Sequence, residues 1–323
     1  MQTRRLFLRN TVGAALTLPI SSSVLAAFGT NRKPITIGVI TDLHQDIMHD
    51  GLQRIQRFVA YMGKQKVDAL LQMGDFAYPG AKNKEVIELF NQAHPVRMHV
   101  IGNHDTDAGY TKEQCIAYWG MPGRYYRQDV ESVRFLVLDG NDKGSPSYKG
   151  GYASFINTDQ VQWLKTELEQ ADKPVVIVSH QPLAGELAVD NAAEIQQLLG
   201  VHAGKILLAM NGHSHLDAQF SVGGVTYVHI NSASYYWVGG KFKHDSYPAN
   251  VMKQYEWIAY TCPYKEAIFA TLSIDPSTGK VSIAGMKSSW MGPSPQELGM
   301  PETGTLRHGK EIVAEVRGRK IGK

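Results

Sequence analysis

Short apolar runs recur along the chain, and several stop abruptly at Asp, Asn or His. Pro34 to Ile40 stops at Thr41-Asp42-Leu43-His44, Asp68 to Met73 at Gly74-Asp75, and Val96 to Ile101 at Gly102-Asn103-His104-Asp105. Pro174 to Val178 stops at Ser179-His180, and Lys205 to Met210 at Asn211-Gly212-His213-Ser214-His215. Runs this short, with this share of β-branched residues, read as buried strands. Between them lie segments with helical spacing. Leu52, Ile55, Phe58, Val59 and Met62 share one face, as do Val161, Leu164 and Leu168. Glu85 to Phe90, Thr111 to Trp119 and Asn191 to Val201 add three more helices. Strands alternating with helices predict an α/β layered sheet. In such sheets ligands sit beyond the carboxyl ends of the strands, so polar residues at several strand ends converge on one site.

Other segments read as hairpins. Tyr125 to Arg127 pairs with Val133 to Leu138, and Ala218 to Val222 with Val225 to Ile230 around Gly223-Gly224. Ile268 to Ile274 pairs with Lys280 to Met286 around Asp275-Pro276-Ser277-Thr278-Gly279. Residues 235–264 carry many Tyr and Trp but no period. They read either as an aromatic cap inserted over the site or as a hydrophobic brace. Residues 287–323 form a C-terminal extension rich in Pro and Gly.

The composition is that of a soluble globular protein, 43% hydrophobic and 20% charged. The net charge of +3 comes from Arg4, Arg5 and Arg9; without them basic and acidic residues balance. A neutral body gives no electrostatic reason to bind a nucleic acid polymer or an anionic membrane. Residues 1–27 have a charged start, a short apolar stretch from Val12 to Ile20 and small residues at Ala26-Ala27, which is the plan of an export signal. The apolar stretch is too short for a stable membrane span. Thr3-Arg4-Arg5-Leu6-Phe7-Leu8-Arg9 resembles a twin-arginine signal. It implies the twin-arginine export machinery as a partner, a periplasmic or secreted location, and a mature domain of residues 28–323. Cys115 and Cys262, the only cysteines, have no metal-ligand spacing and read as unpaired small hydrophobes.

Collected, the strand-end residues are Asp42, His44, Asp75, Asn103, His104, His180, His213 and His215, which include five of the twelve histidines. A mixed Asp, Asn and His set suits divalent ions such as Mn, Fe or Zn. It has more ligands than one tetrahedral ion needs. Seven ligands with one shared carboxylate hold two divalent metal ions. Two such ions, roughly 3.5 Å apart, clamp a phosphoryl oxygen and turn a bridging water into a hydroxide nucleophile.

The ordered set D-x-H, G-D, G-N-H-D, H and G-H-x-H, from Asp42 to His215, resembles the calcineurin-like metallophosphoesterase family. The resemblance implies a four-layer α-β-β-α sandwich, two mixed sheets flanked by helices, in place of one open sheet. It also implies roles. Asp42, His44, Asp75 and His215 hold one ion; Asp75, Asn103, His180 and His213 hold the other. His104 is the catalytic acid over the phosphate, with Asp105 orienting its ring. Gly74-Asp75-Phe76-Ala77-Tyr78 is also similar to the purple acid phosphatase motif, in which the tyrosine binds ferric iron. Those enzymes lack a histidine in the first motif, and His44 fills that position here, so Tyr78 is expected beside the ligands or in a structural role. Of the histidines without a motif, His229 lies nearest to the site in order. The expected activity is hydrolysis of a small-molecule phosphate ester, a phosphodiesterase reaction in preference to a phosphomonoesterase one. The alternative from another class is a non-catalytic metal- or phosphate-binding relative. Such relatives usually lose ligands, and here every position is filled.

Overall fold

The computed structural model describes residues 32–300 and 310–322. The candidate export signal lies outside the described residues.

Strands β1 (Ile35–Ile40), β2 (Ala69–Gln72) and β3 (Arg97–His99) run parallel, joined by helices α1 (Gly51–Gln65) and α2 (Lys84–Ala93). After α3 (Lys112–Trp119) the chain enters a second sheet. It comprises β4 (Tyr126–Val130), β5 (Val133–Val137), β6 (Val175–Val178), β7 (Ile206–Asn211), β8 (Ala218–Val222) and β9 (Val225–His229), with α4 (Thr158–Glu169) and α5 (Ala192–Val201) as crossovers. A short pair, β10 (Tyr235–Trp237) and β11 (Thr261–Pro263), encloses α6 (Ala249–Gln254). The chain then returns to the first sheet as β12 (Ala270–Asp275), β13 (Lys280–Gly285) and β14 (Arg319–Ile321). The sheet orders are β14-β13-β12-β1-β2-β3 and β4-β5-β6-β7-β9-β8. Both are mixed, and helices flank the pair, as the four-layer expectation required.

Alternation within the strands explains the layering. Val133, Phe135 and Val137 face the core shared with the first sheet, whereas Leu136 and Leu138 face α4 and α5. In β6, Val176 and Val178 face the first sheet, and Val175 and Ile177 the helices. Each such side chain, fully buried, contributes about 1.5–3 kcal/mol relative to exposure. Gly38 has a packing reason: a Cβ there would sit 2.8 Å from Leu70 and Met62, so only glycine lets α1 lie this close to the sheet.

Register places the site. Ile40 pairs with Gln72 and Gln72 with His99, so the loops after β1, β2 and β3 leave one edge together. In the second sheet Val137 pairs with Val178 and Val178 with Met210, which levels the loops bearing His180 and His213.

Two stretches without a sequence period acquire a place. From residues 235–264, Tyr235, Met252, Ile258 and Ala259 pack on Ile47 and Met48, just beyond the first polar loop. From the C-terminal extension, β14 pairs with β13, and Arg317 and Arg319 reach Asp217, two residues past His215. The tail therefore braces a site loop. Cys115 and Cys262 are buried and free.

Candidate metal centre

The polar loops are tied to one another before any side chain is considered. The amides of Asp42 and His44 donate to the carbonyls of Gly74 and Asp75, at 3.0 and 2.9 Å. Asp42, His44, Asp75, His213 and His215 all have φ between 48 and 62°. Left-handed backbone at a non-glycine residue costs on the order of 1–3 kcal/mol and collects at functional sites. Five of the seven candidate ligands carry that strain. Two glycines let the loops close: a Cβ at Gly102 would overlap Asp75, and one at Gly212 would overlap Thr41 and Asp42.

The candidate ligands gather in two groups, Asp42, His44 and His215 in one and Asp75, His180 and His213 in the other; His44, Asp46 and His104 form a third cluster beside them. Asp75 reaches both ligand groups, with Oδ2 3.1 Å from His180 Nε2 and 3.6 Å from His44 Nε2. His215 Nε2 lies 3.1 Å from Asp42 Oδ1. Two pairs of ring nitrogens converge, His44 Nε2 on His215 Nε2 and His180 Nε2 on His213 Nδ1, each at 3.2 Å. Ligands at roughly 2.1 Å from one ion lie roughly 3.0–3.4 Å from each other. Asn103 lines the same cleft, and its Oδ1 is buried without a hydrogen-bond partner. An orphaned buried carbonyl oxygen costs about 1–3 kcal/mol unless something accepts its lone pair. His180 Nδ1 donates to the Met73 carbonyl at 2.8 Å, which turns the Nε2 lone pair inward. The residues present therefore fit two divalent ions, with Asp75 between them.

Electrostatics agree with that chemistry. Burial raises the pKa of Asp42 and Asp75, but the imidazoles of His215 and His180 respectively outweigh it and hold both below the usual carboxylate range. Burial lowers His213 to about 3 and also lowers His215, so both present lone pairs. Burial opposes charge on His180 too, but Asp75 raises it to about 9. A metal bound at Asp75 would displace that proton. Burial likewise works against His104, yet Asp75, Asp107 and Asp46 push its pKa up to about 11.

One assigned role needs correction. Asp105 does not orient the His104 ring. Its carboxylate accepts from the amides of Asp75, Phe76, Ala77 and Gly102 at 2.7–3.0 Å. It braces the two loops, and its oxygens are occupied by the backbone. The carboxylates beside the His104 ring are those of Asp107, with Nδ1 to Oδ2 at 2.8 Å, and Asp46 at 3.2 Å, both at ion-pair distance. Asp46 also contacts His44 Nδ1 at 3.2 Å, and the Tyr152 hydroxyl donates to Asp107. Asp46, Asp107 and Tyr152 were not singled out from the sequence, although Asp46 continues the D-x-H spacing to D-x-H-x-D. We expect Asp105→Ala to lower unfolding free energy in urea by about 3 kcal/mol, because it strands buried amides. Asp107→Ala should leave stability nearly unchanged and lower the rate. The opposite pattern would restore the ring-orienting role to Asp105.

His229 proves to be a support: Nδ1 meets Ser214 Oγ at 2.8 Å and Nε2 the Ala184 carbonyl at 2.7 Å, which steadies the loop between His213 and His215. Tyr78 stacks on Tyr110 and lines the cleft. The cleft holds about 690 Å³. Its floor is the metal-capable cluster, and its walls include Tyr152, Leu187, Tyr235, Tyr236, Trp237 and Trp257.

A family model described as calcineurin-like phosphoesterase matches residues 35–217, more than half of the chain. The chain belongs to the calcineurin-like phosphoesterase family. With the donor set described, that makes it a metal-dependent phosphoester hydrolase. Among solved structures it is similar to a dimetal phosphatase from Danio rerio, at 14% identity and a TM-score of 0.58, over 80% of this chain and 99% of that one. It is also similar to GAP50, the anchor in the inner membrane complex of Plasmodium, at 13% identity and a TM-score of 0.54, over 90% and 89% of the two chains. At these identities the likeness is one of fold. No curated protein sequence matches the chain.

Proposed function

We propose that this hydrolase is exported and cleaves small phosphate diesters. The observation that carries the diester reading is the charge of the cleft. Among the described residues that line it there is no Lys or Arg, and Asp46 and Asp107 add negative charge beyond the metal-capable set. A monoester dianion would meet these carboxylates with only the His104 imidazolium as a side-chain cation to offset them. A diester carries one charge and a second organic group, and the apolar walls suit that group.

Asp42, His44, Asp75 and His215 would hold one ion, and Asp75, Asn103, His180 and His213 the other. Bound there, the ions supply Lewis acidity and a nucleophile drawn from water at neutral pH. The chain's own residues do the rest. The His104 amide donates to Asp75 Oδ1 at 2.8 Å, which fixes the turn that carries the ring. Nδ1 faces the carboxylates of Asp107 and Asp46 at ion-pair distance, so Nε2 is the nitrogen that would meet substrate. A proton on Nε2 passes to the leaving alkoxide oxygen as the P–O bond breaks. Tyr235, packed against His44 and His215 at 4.9 and 4.8 Å between ring centres, keeps water from that side.

Export rests on the arginine pair and the small-residue stretch of residues 1–27. Among the described residues no helix is long and apolar enough to cross a membrane. The substrate test compares bis-p-nitrophenyl phosphate with p-nitrophenyl phosphate on mature protein loaded with Mn, Zn, Fe or Co. The diester should show the higher kcat/KM, by about 10-fold or more. A preference for the monoester would overturn the diester reading and favour a phosphomonoesterase.

A further inference from the structure

The walls of the cleft are not a random apolar surface. From the metal-capable floor a ladder of rings climbs to the mouth. Tyr235 lies against His44 and His215, and Trp237 follows at 6.5 Å between ring centres. Tyr260 stacks on Trp237 at 5.7 Å with only 9° between planes, and Trp257 lies 5.2 Å beyond. Trp237 is 41% exposed and Trp257 59%, and both line the cleft. The same cleft is lined by Tyr152, which packs on the His104 ring at 5.0 Å, and by Leu187, 58% exposed.

Exposed tryptophans normally carry a cost, since each leaves a large apolar face in water. Here they are also held in place. Trp237 is fixed by the β10–β11 pairing and by Tyr260 behind it. A preset flat ring loses little entropy when a second ring stacks on it. The rim therefore has what a planar ligand needs: preset π faces and apolar neighbours, joined to the metal-capable floor.

We infer that Trp237 and Trp257 form a subsite for a planar aromatic group attached to the phosphate, either an aryl ester or a nucleobase carried on its sugar. Such a group stacks at the mouth while its phosphate lies on the floor beside His104. The inference deepens the phosphoester reading of the same cleft and rests on it.

The test is calorimetric titration of the full mature chain, Mn-loaded, with methyl, cyclohexyl and phenyl phosphate, and with hydrolysis of bis-p-nitrophenyl phosphate measured in parallel. Phenyl phosphate should bind about 10-fold or more tightly than methyl phosphate, as base–aromatic stacking does elsewhere. Cyclohexyl phosphate should fall well short of phenyl, because its area is similar but it has no π face. Trp257→Ala and Trp237→Ala should each reduce the phenyl-to-methyl ratio, and the double variant should bring it to about 1. Trp257→Phe should keep most of it. Adenosine and thymidine monophosphates separate the two sources: tighter binding than phenyl phosphate places a base at the rim, weaker binding an aryl ester. Equal affinity for phenyl and methyl phosphate, or a ratio that survives the double variant, overturns the subsite even if hydrolysis is brisk. Aryl preference without hydrolysis supports the subsite and sinks the catalytic reading. If none of the phosphates binds while bis-p-nitrophenyl phosphate is hydrolysed, the subsite falls and the diester reading stands; if there is neither binding nor hydrolysis, both fall.

Discussion

Asp75→Ala should empty both metal positions at once. Asp75 is the carboxylate within reach of both histidine groups, 3.1 Å from His180 and 3.6 Å from His44. Its other oxygen accepts the His104 amide, so the variant also loosens the turn that carries the acid. Metal content measured after dialysis should fall from about two ions per chain to well under one, with hydrolysis lost by about 10³-fold or more. His215→Ala, in one group, and Asn103→Ala, a proposed ligand of the other ion, should each cost one ion. Asp75→Ala with unchanged metal content would contradict the shared-ligand geometry.

The second large effect belongs to His104. It stands outside the two candidate-ligand groups, in a third cluster with His44 and Asp46, and its Nδ1 lies within ion-pair distance of Asp107 and Asp46. His104→Ala should therefore keep both metals and lose about 10²–10⁴ in kcat for esters with poor leaving groups, such as alkyl alcohols. With p-nitrophenolate, which departs without a proton, the loss should shrink to about 10-fold or less. Asp107→Asn should show the same dependence on leaving group at smaller size. A uniform loss across leaving groups would mean that His104 binds phosphate but does not donate the proton.

Much of this architecture is legible in the sequence, for identifiable reasons. Strands buried on both faces, such as Val175 to Val178, have no polar residue to confuse their reading. The helix from Gly51 keeps its apolar stripe through Met62. The candidate ligands announce themselves because chemistry requires Asp, Asn or His at strand ends, where a sheet has no other use for them. The pairing of two sheets is not legible from period alone. Val133, Phe135 and Val137 would alternate in the same way against helices in a single open sheet; the two-sheet expectation came from the family resemblance.

What stayed hidden was set by contacts distant in sequence. Asp105 looks like a partner for its neighbour His104, but four amides from the loops at residues 75–77 and 102 occupy it. Arg317 and Arg319 meet Asp217 across about a hundred residues, and nothing local marks that pairing. Residues 235–264 show no period because their elements are three to six residues long, too short for one to develop.

A two-ion phosphoester site should answer to a metal titration. Mature protein stripped with chelator is titrated with Mn while hydrolysis of bis-p-nitrophenyl phosphate is followed. Without metal the rate should be negligible; it should rise until two equivalents are bound and then level off. A rate that saturates at one equivalent, or one that needs no metal, would contradict the two-ion site.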